Sequence, residues 1–137
     1  MDSTTPAVVD TDVVSFLFKN HSLAPVYQAI LAGRPLAISL ITLAEIEYGV
    51  EAKNWGAARR DLMRRFLKRF TLLLPDTETT RAWARTKSGC EKRGRPITFA
   101  DAWIAAAALQ LNVPLVTHNA SDYRAVEKLT VLTAASS

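Results

Sequence analysis

The chain has a single cysteine, Cys90, among 137 residues, and one thiol builds neither an internal disulfide framework nor a zinc cage. A reduced, cytoplasmic setting is the simplest expectation. Histidine is scarce too. His21 and His118 are the two present, neither has a second imidazole at a ligand spacing, and both are expected to be solvated or hydrogen-bonded. No run of 18 apolar residues occurs; the most apolar stretch, Leu36 to Ile46, carries Glu45 and is too short to span a bilayer. The opening MDSTTPAVV lacks the basic segment and apolar stretch of a secretory signal, so no membrane association is expected. Repeats and low-complexity segments are missing as well.

What remains is an ordinary globular composition, 49% hydrophobic and 22% charged with five Gly and six Pro. A chain of this size buries about two thirds of its unfolded surface, enough for a core without staples. One domain over residues 1–137 is expected, with the small polar tail Thr133 to Ser137 frayed. Seventeen Lys and Arg against thirteen Asp and Glu leave a net charge of +4, which favours a polyanionic partner without identifying one.

Short apolar runs alternate with longer helical periodicities, the pattern of an α/β fold on a mostly parallel sheet. Strands are predicted at Ala7–Val9, Leu36–Ser39, Phe70–Leu74, Leu115–Thr117 and, at the edge, Thr130–Leu132. Helices are predicted at Asp12–Lys19, Pro25–Ala32, Leu43–Ala52, Ala57–Arg69, Thr80–Arg93 and Phe99–Leu111. The alanines at 102 and 105 to 108 predict a closely packed, buried helix. Trp83, Phe99, Trp103 and Leu109 recur near helical spacing, as core or dimer surface rather than as platforms for bases.

Ligand sites of open α/β sheets lie beyond the carboxyl ends of the strands, and four acids fall there: Asp10 after the first strand, Glu45 in the first turn of the helix after Ser39, Asp101 opening the alanine-rich helix, and Asp122 past Thr117. Each also has an ordinary structural explanation. Thr42-x-x-Glu45 and Thr98-x-x-Asp101 have capping-box spacing, Asp10 or Asp12 can cap a helix, and Asp122 can close a turn. Independent caps, however, have no evident reason to converge on one end of one sheet. Clustered carboxylates raise one another's pKa unless a cation compensates them, and oxygen-only ligands select Mg²⁺ or Mn²⁺. Such ions make phosphodiester hydrolysis feasible without a protein nucleophile. Beside them, basic residues such as Arg59, Arg60, Arg64, Arg85, Lys92, Arg93 and Arg95 are candidates to hold an RNA backbone.

Four blocks carry a family resemblance: VVDTDVVSF around Asp10, SLITLAEIEYG around Glu45, RGRPITFADAWIAAAAL around Asp101, and LVTHNASDY with Asn119 and Asp122. In order and spacing they resemble the PIN-domain ribonucleases, above all the VapC-type toxins of bacterial toxin–antitoxin pairs. The resemblance implies a three-layer α/β/α sandwich, a Mg²⁺- or Mn²⁺-dependent endoribonuclease using one or two ions, a homodimer, and a small cognate antitoxin that blocks the groove. On this reading Asp10, Glu45, Asp101 and Asp122 are catalytic metal ligands, and Thr11, Ser39, Thr117 and Asn119 orient them or their waters. In the fourth block Asn119 and Asp122 are both eligible; Asp122 is assigned to charge and Asn119 to orientation. Asp12 stands where the family commonly has Asn or Ser, either as a further carboxylate or as a cap. Two other readings stay open. Val8-Val9-Asp10-Thr11-Asp12 also resembles the DxDx[TV] motif of haloacid-dehalogenase-type phosphotransferases, with Asp10 as nucleophile and Asp12 as acid/base; the third is a noncatalytic RNA-binding domain.

Overall fold

A computed structural model describes residues 4–135. Five strands, β1 (Ala7–Val9), β2 (Leu36–Ser39), β3 (Phe70–Leu73), β4 (Leu115–Val116) and β5 (Val131–Leu132), form one sheet in the order β3-β2-β1-β4-β5. Every neighbouring pair is parallel. The helices are α1 (Thr11–Lys19), α2 (Ala24–Leu31), α3 (Leu40–Ala52), α4 (Ala57–Leu67), α5 (Thr77–Lys92) and α6 (Phe99–Leu111), with a 3₁₀ turn at Ala120–Tyr123.

Strand alternation explains the layers, because successive side chains point to opposite faces. Ala7 and Val9 join Val13, Tyr27, Ile46 and Met63 in one core, on the side of α1, α2 and α4, whereas Val8 joins Ile104, Ala105 and Cys90 in the other, under α5 and α6. The result is the expected α/β/α sandwich. Alanines 102, 105, 106 and 108 are fully buried, and their small side chains let α6 lie against β1, β2 and α5. Among the described residues no helix is long and apolar enough to cross a membrane.

Two helices begin three residues earlier than the pattern predicts, each because an unrecognised cap lies upstream. The Ser39 hydroxyl accepts from the Ile41 amide at 3.2 Å, so α3 starts at Leu40, Glu45 falls in its second turn, and no capping box forms at Thr42. Asp76 and Thr79 exchange reciprocal bonds of 3.0 Å, so α5 starts at Thr77.

Of the tail expected to fray, residues 133–135 are described and positions 136–137 lie outside the described residues. The Tyr27 hydroxyl accepts from the Ala134 amide at 3.2 Å and meets His118 Nδ1 at 2.7 Å, and Ala134 packs on the core beside it. Replacing Tyr27 by Phe removes these bonds while keeping the ring. It is expected to cost about 1–2 kcal/mol in chemical denaturation and to speed proteolysis near residue 134; unchanged cleavage there would show that the hydroxyl does not anchor the tail.

Candidate active site

After β1 the chain passes outward to β2 and β3, then crosses to β4 on the other side of β1. The crevice beyond the carboxyl ends of β1 and β4 is therefore the switch point at which open α/β sheets bind ligands. Asp10 and Thr117 directly follow these two strands. Asp10 caps α1, its Oδ1 accepting from the Thr11 amide at 2.8 Å, while its Oδ2 accepts from the hydroxyls of Thr117 at 2.8 Å and Tyr123 at 2.9 Å.

Asp101 approaches from α6. Thr98 caps that helix by accepting from the Asp101 amide at 3.1 Å, and Asp101 Oδ1 accepts from the same Tyr123 hydroxyl at 3.2 Å. Glu45 arrives from α3, where its Oε1 accepts from the Thr11 hydroxyl at 2.7 Å; that hydroxyl also meets the buried Thr42 at 3.0 Å. Asp122 is exposed on the 3₁₀ turn and shares a cavity of about 320 Å³ with Arg95, Thr98 and Asp101. Arg95 reaches that cavity because Gly94 takes a φ of +74°, closing α5 with paired bonds from Gly94 to Glu91 and from Arg95 to Cys90.

Asp12 is neither the cap nor a free acid. Its Oδ1 accepts from the Val13 amide, and its Oδ2 accepts from the His118 amide at 3.1 Å and Asn119 Nδ2 at 2.8 Å. The carboxylate thus bolts α1 to the loop after β4. Asn119, whose amide also donates to the Thr117 hydroxyl at 3.0 Å, turns its side chain to Asp12. The Ser39 hydroxyl is spent on capping α3.

Burial dominates the electrostatics. It raises Asp10 from the ordinary carboxylate range to about 6, with the Asp12 charge adding to it, although three donors pull the other way. Asp101 is raised by burial, then by the charges of Asp122 and Glu45. Burial followed by the Asp10 and Asp101 charges pushes the Tyr123 phenol far up, so it stays protonated as a donor. These charge effects tie Glu45 and Asp122 to the same site as Asp101. The donors are all carboxylate oxygens, which suit a hard divalent cation. Among the described residues no three His, Cys, Asp or Glu side chains are gathered tightly enough to hold an ion; hydroxyl groups join the acids in the pairings above.

The basic residues scatter. Arg95 alone of the seven lines the acid cavity. Arg59 stacks on Trp55, with its guanidinium carbon 4.0 Å from the ring centroid; Arg60 pairs with Glu51; and Arg93 binds the Ala125 carbonyl and Glu127. Arg85 and Arg93 line a larger cavity of about 680 Å³ that contains none of the four acids, while Arg64 and Lys92 are exposed on α4 and α5. Neither imidazole hydrogen-bonds one of the four acids: His21 stacks on Phe16 and accepts from the Leu23 amide, and His118 Nδ1 meets Tyr27 while its backbone amide donates to Asp12. Read from sequence, Tyr123 carries no role at the site and Thr42 only that of a helix cap. The one available signal for Tyr123 was a hydroxyl-bearing aromatic directly after Asp122.

The sequence model of the PIN domain family matches residues 7–129. Ribonuclease VapC1 of Haemophilus influenzae is 30% identical over 89% of this chain and 92% of its own length. Ribonuclease VapC5 of Mycobacterium tuberculosis is 32% identical over 91% and 92%. Among solved structures, VapBC-1 from nontypeable Haemophilus influenzae superposes with a TM-score of 0.80 at 27% identity, over 93% of this chain and 97% of the matched one. VapBC2 from Rickettsia felis, bound to a promoter DNA fragment, shares the fold with a TM-score of 0.82 at 23% identity, over 93% and 98%.

A carboxyl raised from 3.8 to about 6 favours the folded state when protonated, so its stabilising contribution is complete below about pH 4 and lost as pH rises through about 6. That loss amounts to about 3 kcal/mol. In EDTA at pH 7.5, Asp10→Asn is therefore expected to melt several degrees above the wild type, with the gap closing by pH 4.5. Coincident melting at both pH values in differential scanning calorimetry would refute the buried-charge account.

Proposed function

The chain belongs to the PIN-domain family, in its VapC branch, and on that footing we propose that it is a Mg²⁺- or Mn²⁺-dependent endoribonuclease, the toxin of a type II toxin–antitoxin pair. One observation carries the reading: Asp10 and Asp101, far apart in the chain, face a single buried hydroxyl at the switch point of the sheet. The names of the relatives, ribonucleases, support the RNA-cleaving part, and the solved toxin–antitoxin neighbours support a small antitoxin as partner. Asp10, Glu45, Asp101 and Asp122 are the residues assigned to hold one or two cations. When bound, a divalent cation offsets their charge, acidifies water and stabilises the departing oxygen of a phosphodiester.

The chain's own residues supply the rest. The Thr11 amide, Thr117 and Tyr123 fix the Asp10 carboxylate, and the Thr11 hydroxyl fixes Glu45. Arg95, at the cavity with Asp101 and Asp122, is proposed to meet a phosphate of the RNA backbone. Asp12 is occupied by the His118 and Asn119 donors, which disfavours the phosphotransferase reading, since that chemistry asks Asp12 to pass a proton. A homodimer is proposed on the face where Leu74 (71% exposed), Phe99 (56%) and Leu111 (47%) surround Trp103. The working compartment is proposed to be the cytoplasm.

Incubation of the purified chain with total cellular RNA is expected to give cleavage with Mg²⁺ or Mn²⁺ and none in EDTA. Asp10→Asn and Asp101→Asn are each expected to lose at least about 100-fold, since even outer partners of a metal site cost 10–100-fold. Full cleavage by both folded variants, or cleavage unaffected by EDTA, would overturn the assignment.

A further inference from the structure

We propose that Tyr123 is a positioning residue of this site: its hydroxyl holds the Asp10 and Asp101 carboxylates toward one another, so that a divalent cation meets a preassembled pair. The inference rests on the proposed metal-dependent reading of the acids and adds a residue to it.

The geometry is specific to this side chain. Its hydroxyl lies 2.9 Å from Asp10 Oδ2 and 3.2 Å from Asp101 Oδ1, so it reaches acids carried by two different elements. Thr117 donates to Asp10, and Thr11 serves Asp10 through its amide and Glu45 through its hydroxyl; neither is bonded to Asp101. A phenol has one proton and therefore donates to one carboxylate at a time, which places that proton between the two acids and draws both toward it.

The ring makes the position rigid. Tyr123 is 2% exposed and packs in the core layer of Val8, Ile104 and Leu115, and an aromatic side chain has only two torsions to fix. The 3₁₀ turn Ala120–Tyr123 divides the labour of adjacent residues, with Asp122 exposed at the cavity and Tyr123 buried behind it. Nor does the hydroxyl exhaust the acids. Two carboxylates offer about eight acceptor positions, of which the bonds described take three on Asp10 and one on Asp101.

Tyr123→Phe keeps the ring and its packing and deletes the bridge. Calorimetric titration of the full-length chain with Mn²⁺ alone, at pH 7.5, is expected to show a dissociation constant about tenfold higher than the wild type. The Mn²⁺ concentration for half-maximal RNA cleavage is expected to rise in parallel, with the rate at saturating Mn²⁺ much less affected. A ring that serves packing alone leaves both quantities where they were. Constants within twofold of the wild type, or tighter binding, would overturn the inference while leaving the metal-dependent reading intact. A wild type that takes up no Mn²⁺ would overturn both. If the variant does not fold, nuclear magnetic resonance of the wild type decides: a slowly exchanging Tyr123 hydroxyl proton that shifts on adding Mg²⁺ supports the bridge, and one that ignores Mg²⁺ rejects it.

Discussion

The constraint on which the site depends is the burial of one carboxylate at the end of the central strand. Asp10 is 7% exposed and accepts three hydrogen bonds, each of a kind that contributes about 1.5–3 kcal/mol when the partner is charged. Desolvation still outweighs them, because the group is raised rather than lowered. A second aspartate in the chain provides the contrast. Asp76 also caps a helix, but it is exposed, and the Thr79 amide and Gln110 hold it below the usual carboxylate range. Capping alone therefore lowers an aspartate here; burial beside other acids is what sets Asp10 apart.

Its donors come from three segments: the first turn of α1, the residue just past β4, and the 3₁₀ turn. No local piece of chain contains the site, which exists only once β1 and β4 have paired. Asp12 reinforces that closure by clamping the loop that carries Asn119 and leads to Asp122 and Tyr123. Asp12 thus acts on the loop rather than adding a free carboxylate to the cavity.

Much of this was readable from residue order. The short apolar runs became the five strands to within a residue, because a buried parallel strand has little choice of composition. The four acids were legible as candidates because they follow those runs. The Thr42 box was expected and does not form, and α3 and α5 start earlier than expected, because several hydroxyls or acids near a helix start compete to cap it, and only backbone geometry chooses between Ser39 and Thr42 or selects Asp76. Tyr123 was missed because nothing in its polar run Ser121-Asp122-Tyr123-Arg124 pairs its hydroxyl with an acid; the ring is core, and the function of its hydroxyl depends on a partner in α6 that spacing does not reveal. The scatter of the basic residues has a related reason. Charge runs along a helix turn through all its faces, so Arg59 and Arg60 end on Trp55 and Glu51, while Arg95, in a loop, reaches the acids.

Helix caps do have a reason to converge. In a parallel sheet, each helix that follows a strand begins at that strand's carboxyl end, so Asp10 after β1 and Ser39 after β2 gather at one edge through topology alone. The cap of α6 joins them, since Asp101 in its first turn shares Tyr123 with Asp10. Convergence is thus the default of the fold, and what marks a site is the surplus over capping. Ser39 and Thr98 are seen accepting the one amide bond that a cap requires. Asp10 accepts that bond and two hydroxyls besides, and Asp101 leaves its cap to Thr98 and turns its carboxylate inward. Carboxylates placed where a helix start already tolerates negative charge, then buried together, are what distinguish this edge from an ordinary row of caps.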